Sequence, residues 1–264
     1  MIVVVDGLSS HASTGGIALA GDGPVVLLIH GSGMDSTVWQ LQTRFLAHRG
    51  WRALAVDLPG HGRSAGPALA SVERMADWVA NLAVALGVGS VHVVGHSMGS
   101  FIALELASRY RGLTASITLC GTATSMPVHP DLLSAADNDL PGAAALMAAW
   151  GHDKPAHVGL NPTPGFWMLG GARALVENSA PGVLATDLQA CVAYSNATSA
   201  AAAVECPATV VIGLGDKMTP PKSGRALAAA LPAARLIELP GTGHMMMIEN
   251  PRAIRRAILD AVSA

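Results

Sequence analysis

The sequence predicts an α/β domain in which a mostly parallel sheet is covered by helices on both faces. Three observations carry that reading. Short β-branched apolar runs alternate with longer helical patterns along the chain. Two of the runs, VVLLIH from residue 25 and TVVIG from residue 209, are almost continuously apolar, as strands buried on both sides are. With 264 residues, the chain can also bury a substantial core without metal or disulfide staples.

The elements follow in order. Apolar runs at Ile2–Val5 and Ile17–Ala20 are expected to form an antiparallel edge. The remaining strands are expected at Val25–His30, Arg52–Asp57, Ser90–Gly95, Ser116–Cys120, Thr209–Gly213 and Arg235–Leu239, eight in all. Helical patterns lie between them at Thr37–His48, Val72–Leu86, Met98–Tyr110, Ser223–Ala230 and Pro251–Val262. The stretch 122–206 breaks this rhythm. It holds alanine-rich helical pieces separated by Pro and Gly clusters, at Asp139–Gly142, Asn161–Gly165 and Ala180–Gly182. A structureless loop of that length is improbable in a compact domain. Residues 1–121 with 207–264 therefore form the core domain, and 122–206 is expected to be a helical cap inserted between two strands.

Composition narrows the function. Hydrophobic residues make up 51% of the chain and charged ones only 13%, which argues against disorder. The net charge of −2 offers no basic surface to nucleic acid or anionic lipid. Cys120, Cys191 and Cys206 are too few and too scattered for a disulfide framework or a zinc site, and read as small core residues in a reducing compartment. The opening MIVVVDG lacks a basic region and a cleavage site, and no apolar stretch approaches the ~20 residues that span a bilayer. A cytoplasmic location is expected, with no membrane partner. Nothing in the sequence bears on the oligomeric state.

The chemistry starts at Gly95-His96-Ser97-Met98-Gly99, placed between a strand and a helix pattern. A serine there sits on a sharp strand-to-helix turn, and flanking glycines remove side chains that would clash in it. The following helix aims its first N–H groups at the same place, which favours developing negative charge. His30-Gly31-Ser32-Gly33 ends an earlier strand. Backbone N–H groups of Ser32 and Met98 are the expected oxyanion donors. The Ser32 hydroxyl fits two roles, assisting there or completing the turn, and His30 is expected to brace that turn. His244 lies in the glycine-framed loop GTGHMMM, and Asp216 directly follows VVIGLG. Serine needs a base to take its proton, and a carboxylate fixes the tautomer of that base. Ser97, Asp216 and His244 are thus the expected nucleophile, acid and base. Neither a metal nor another cofactor is called for.

Together HGSG, DLPGHGRS (Asp57–Ser64), GHSMG, GLGDKMTP and GHMMMIENP resemble the α/β-hydrolase superfamily, and in particular its small bacterial esterase, perhydrolase and lactonase-like members. The resemblance covers the chain outside the insertion, which matches the cap such enzymes carry. It implies the α/β-hydrolase fold and gives Asp57 and His61 a structural part in their loop. Epoxide hydrolases and haloalkane dehalogenases carry an aspartate at the position of Ser97. Carbon–carbon bond hydrolases resemble GNSMGG there, and proline iminopeptidases carry a tryptophan at the position of Met98. No acidic residue follows the strand SITLC, so Asp216 has no rival.

The expected activity is hydrolysis of small, largely apolar carboxylic esters through an acyl-serine. Lactonase, thioesterase and perhydrolase chemistry share that intermediate, and a ligand receptor on the same scaffold is the reading from another class. Met34, Met98, Met147, Met168, Met245, Met246 and Met247 admit two roles, core packing or an adaptable apolar pocket. Met34, Trp150, Trp167 and Met245 are the expected substrate contacts, with Trp150, Phe166 and Trp167 forming a roof.

Overall fold

The structure, a computed structural model, describes residues 1–263. At its start, Asp6 and Gly7 hold positive φ values of 51° and 79°, the twist that a two-residue hairpin turn requires. They join β1 (Ile2–Val5) to β2 (Leu8–Ser13) in register Val5↔Leu8. The antiparallel edge is therefore present, but its second strand is not the expected Ile17–Ala20. That run lies in an irregular loop between Gly15, Gly16 and Gly21, all at positive φ, and the Asp-Gly turn claims the pairing first.

Six further strands follow: β3 (Val25–Ile29), β4 (Arg52–Val56), β5 (Val91–His96), β6 (Thr114–Cys120), β7 (Ala208–Gly213) and β8 (Ala234–Leu239). The sheet has the order β1-β2-β4-β3-β5-β6-β7-β8 and is parallel from β4 onward. Strand alternation divides the core into two layers. Val25, Leu27 and Ile29 point into one hydrophobic cluster, Val26 and Leu28 into the other.

The helices are α1 (Gln40–Ala47, after a 3₁₀ turn at Ser36–Trp39), α2 (Val72–Ala85), α3 (Met98–Arg109), α4 (Pro130–Asn138), α5 (Leu140–Gly151), α6 (Lys154–His157), α7 (Met168–Glu177), α8 (Val183–Ala193), α9 (Ala197–Ala202), α10 (Pro221–Ala230), α11 (Met246–Glu249) and α12 (Pro251–Val262). Capping explains several starts. Ser71 accepts the Arg74 N–H at 3.3 Å, and Asn250, ahead of Pro251, accepts that of Ala253. Helix α3 is buried from Met98 to Ala107, which places it at the centre of the molecule with Ser97 at its N-terminus.

Between β6 and β7 lie α4 to α9 and no strand. Residues of α4, α5 and α7 join the cluster that holds Val26 and Leu28, whereas Tyr194, Ala197, Ala200 and Ala201 pack with Phe101 and Leu104 in the opposite layer. The end of this segment thus anchors on α3, where the Tyr194 hydroxyl donates to Glu105 at 2.7 Å. No helix among the described residues is long and apolar enough to cross a membrane.

Candidate active site

Ser97 occupies φ 53°, ψ −121°, a conformation that costs a side-chain-bearing residue roughly 1–3 kcal/mol and persists only where its surroundings over-determine it. The flanking glycines explain how it fits. A Cβ on Gly95 would lie 2.0 Å from the Gly99 carbonyl oxygen, and one on Gly99 would lie 2.4 Å from that of Ile29. The Ser97 N–H is held by the Cys120 carbonyl at 2.9 Å. The side chain is half-buried and lines a cavity that His244 also lines. Among the described residues the Ser97 hydroxyl has no hydrogen-bond partner, so serine and histidine share one cavity without yet being bonded.

The other two residues are bonded. His244 Nδ1 lies 2.8 Å from Asp216 Oδ2. Asp216 Oδ1 accepts the N–H groups of Met218 and Thr219, each at 2.8 Å, and Oδ2 accepts the Thr219 hydroxyl at 2.7 Å. Burial works to raise this carboxyl, but the adjoining His244 ring and these hydrogen bonds outweigh it and hold the group below its ordinary value. The carboxylate therefore requires a proton on Nδ1, which leaves Nε2 free to accept one.

Met98 is the first residue of α3, so its N–H has no intrahelical partner, and the Ser32 N–H meets no protein acceptor among the described residues. Ser32 Oγ lies 3.7 Å from both Met98 Sδ and Cys191 Sγ. The His30 ring braces the turn as expected: Nδ1 donates to the Gly31 carbonyl at 2.8 Å, and Nε2 accepts the Leu58 N–H at 3.2 Å. Burial, with neighbouring His61, lowers its pKa to about 4. Asp57 accepts the N–H groups of Ser36 and Arg63 at 2.7 and 2.9 Å, clamping two loops together, and does not line the cavity that holds Ser97.

Met34 and Trp150 line the Ser97 cavity, together with Met126, Leu132, Met147, Leu188 and Met218. Trp167 and Met245 do not. Trp167 is 79% exposed and folds back over Gly170, where a Cβ would lie 2.1 Å from its ring. Met245 is buried, but it borders a separate cavity with Phe166. Adjacency to His244 in sequence does not bring Met245 into the serine cavity, and that proximity misled the expectation. Phe166 likewise forms no part of the roof over Ser97.

Sequence reasoning missed three supporting groups. His96 Nε2 donates to the His244 carbonyl at 3.0 Å, with ring centroids 4.6 Å apart, and burial, with the nearby His244, keeps its pKa well below the ordinary value. Glu249 accepts the N–H of Gly243 at 3.1 Å and that of Asp153 at 2.9 Å, tying the histidine loop to the segment before α6. Lys217, directly after Asp216, lines the serine cavity. Its neighbour in sequence was the only available signal. Among the described residues, no three His, Cys, Asp or Glu side chains converge as metal ligands do.

The alpha/beta hydrolase family matches this chain over residues 26–257, a span that includes Ser97, Asp216 and His244. The chain belongs to that family. Among curated relatives of this α/β hydrolase is a pimeloyl-[acyl-carrier protein] methyl ester esterase from Chromobacterium violaceum, 30% identical over 91% of this chain and 94% of that protein. Among solved structures, a thermophilic esterase from Thermogutta terrifontis is 25% identical, with a TM-score of 0.85 over 100% of this chain and 97% of that one. The enol-lactonase from Burkholderia xenovorans superposes with a TM-score of 0.89 over the full length of both chains at 24% identity, a likeness of fold.

Proposed function

We propose that this α/β hydrolase cleaves carboxylic esters of small, largely apolar acyl groups. Ser97 is the nucleophile, His244 the base and Asp216 its orienting acid, with the N–H groups of Ser32 and Met98 receiving the oxyanion. One observation carries the reading: a serine held at positive φ and an aspartate-bound imidazole line a single, largely apolar cavity. Attack by Ser97 Oγ on the acyl carbon transfers its proton to His244 Nε2 and puts negative charge on the carbonyl oxygen. Collapse expels the alcohol, which takes that proton, and water repeats the cycle to release the acid. The helical segment 122–206 acts as a cap, contributing Met126, Leu132, Met147, Trp150 and Leu188 to the cavity.

The cavity measures about 100 Å³. A cavity of ~150 Å³ suffices to hold benzene, so short acyl groups fit best. The names of the Chromobacterium and Thermogutta relatives support ester cleavage, and lactones, thioesters and peracids pass through the same acyl-serine. A second reading rests on Lys217, a cationic residue among the lining of a cavity that no carboxylate lines: acyl chains ending in an anionic group.

The deciding experiment combines turnover of p-nitrophenyl esters with fluorophosphonate labelling. The unmodified protein should turn over and label, and Ser97→Ala should do neither while keeping its circular dichroism spectrum. Labelling that survives in Ser97→Ala refutes the assignment. Tight stoichiometric ligand binding without turnover supports a receptor instead. Half-esters of dicarboxylic acids, compared with neutral esters of equal length, decide the role of Lys217.

A further inference from the structure

Asp187 is the one charged residue between Glu177 and Glu205. It lies on α8, in the segment after β6, and its side chain is fully buried. A carboxylate in an alanine-rich helix is costly to bury unless something compensates it. Here Oδ2 accepts the Gly33 N–H at 2.8 Å and faces His61 Nε2 at 2.8 Å, while Oδ1 has no partner. Both contacts cross from the insertion to core loops far away in sequence.

The protonation state of the pair follows from geometry. His61 Nδ1 lies 3.0 Å from the Pro59 carbonyl oxygen, so the ring meets an acceptor on each side. A neutral imidazole donates from one nitrogen only, whereas the imidazolium donates from both. Burial opposes charging this ring, but the Asp187 carboxylate outweighs it and raises the pKa. The other groups facing His61 agree. His30, 4.8 Å away between ring centroids, is held neutral, and the Asp57 carboxylate adds to the pull of Asp187.

What the pair holds is the turn expected to bind the oxyanion. Gly33 has φ 64°, and a Cβ there would lie 2.8 Å from Leu184 Cδ1. Ser32 Oγ lies 3.7 Å from Cys191 Sγ. Three residues of α8, Leu184, Asp187 and Cys191, thus back the Ser32-Gly33 turn, and only Asp187 bonds its backbone.

We propose that Asp187 is a positioning residue for catalysis: its carboxylate, ion-paired with the His61 imidazolium, fixes the Gly31-Ser32-Gly33 turn so that the Ser32 N–H meets the developing oxyanion. The cap thereby helps to assemble the catalytic centre as well as to cover it. This inference rests on the reading of Ser97 and Ser32 given above. An interaction that serves the transition state alone lowers kcat when removed and leaves KM largely unchanged. The ion pair also adds an alkaline limb, because His61 gives up one proton as pH rises through its raised pKa, and Asp187 then keeps a neutral donor but loses its counter-charge.

The test is steady-state kinetics of Asp187→Asn on p-nitrophenyl acetate across pH, with inhibition by phenylboronic acid, whose tetrahedral adduct on serine places an oxygen in the oxyanion site. We expect kcat to fall about 10- to 100-fold, boronate affinity to weaken in step, KM to hold, and the alkaline limb to vanish. A lower melting temperature with kcat, boronate affinity and pH profile intact overturns the proposal, as does a change in KM alone. Should Asp187→Asn fail to fold, His61→Gln keeps the carboxylate on Gly33 but removes its charge partner. It should lower kcat and abolish the alkaline limb, and an unchanged profile again overturns the proposal. Fluorophosphonate labelling of Ser97 in the unmodified protein separates the two readings. Without it both fall, and with it the Asp187 comparison alone decides this one.

Discussion

Asp216 Oδ1 is claimed by two backbone N–H groups, so only Oδ2 is left to face His244 Nδ1, at 2.8 Å. This division of labour determines what an amide would do there. In Asp216→Asn the carbonyl oxygen must stay on the Met218 and Thr219 N–H groups, which turns the NH₂ toward the imidazole. Nδ1 then accepts, the proton moves to Nε2, and the ring can no longer take one from Ser97. The expected result is a folded protein with kcat reduced by about 10⁴. His244→Ala should be similarly severe. The double variant should lose little more, because the two residues act as a unit. Multiplicative losses measured in the double variant contradict the pairing.

The parts of this arrangement that depend on local chemistry were legible in the sequence. Ser97, Asp216 and His244 stand at strand ends in glycine-bearing loops, and periodicity and punctuation mark such places. The long segment without buried-strand pattern is helical, as its alanine content and Pro and Gly breaks require. Contacts between distant segments were not legible. Nothing in the sequence sets Asp187 apart, and only the approach of α8 to Gly33 and His61 gives it partners. The same holds for Glu249 and the histidine loop. Trp167 was misjudged because an aromatic residue in a covering segment suggests a pocket wall, whereas its fold-back over Gly170 was hidden. The Ile17–Ala20 run lost its strand to a turn whose two residues, Asp6-Gly7, were already in view.

The elbow makes a prediction about stability rather than rate. Ser97 holds φ 53°, where glycine alone is at ease. Ser97→Ala and Ser97→Gly should both be inactive, but the glycine variant should be more stable than the alanine one by roughly 1 kcal/mol. Denaturant unfolding of the two proteins measures this directly. Equal midpoints show that the turn is not strained. Gly99→Ala, whose Cβ would lie within 2.6 Å of two backbone carbonyls, should by contrast unfold or lose its activity.

Chain-length selectivity separates the two tryptophans. Trp150 is half-buried, lines the serine cavity and packs edge-on against His129 at 5.4 Å. Trp150→Ala enlarges the cavity, so the optimum along a p-nitrophenyl ester series should move to longer acyl groups. Each newly buried methylene is worth up to ~0.8 kcal/mol, or about fourfold in kcat/KM. Trp167→Ala should leave the profile where it was, because that ring is outside the cavity. A shift in the second variant and none in the first reverses the assignment.

Buried histidines set the pH range over which the fold survives. His30 and His152 are held neutral, with pKa values of about 4, chiefly by burial. In the unfolded chain each ring returns to about 6.5. Between those values the unfolded state binds more protons than the native one. Their contribution to stability is therefore complete above about pH 6.5 and is lost as pH falls toward 4, by about 3 kcal/mol for each ring. His96, whose pKa burial also lowers, acts in the same direction. His61 acts in the other. Its pKa is raised, so the stability it brings is present below the unfolded value and lost as pH climbs through the folded one. The melting temperature should accordingly peak near neutrality and fall steeply in mild acid. His152 offers a clean check, because its Nδ1 bonds only the Ala148 carbonyl and its Nε2 has no partner. His152→Leu should flatten the acid limb of a melting curve series while leaving the alkaline limb unchanged. An acid limb as steep as before shows that this ring is not the one forced to stay neutral.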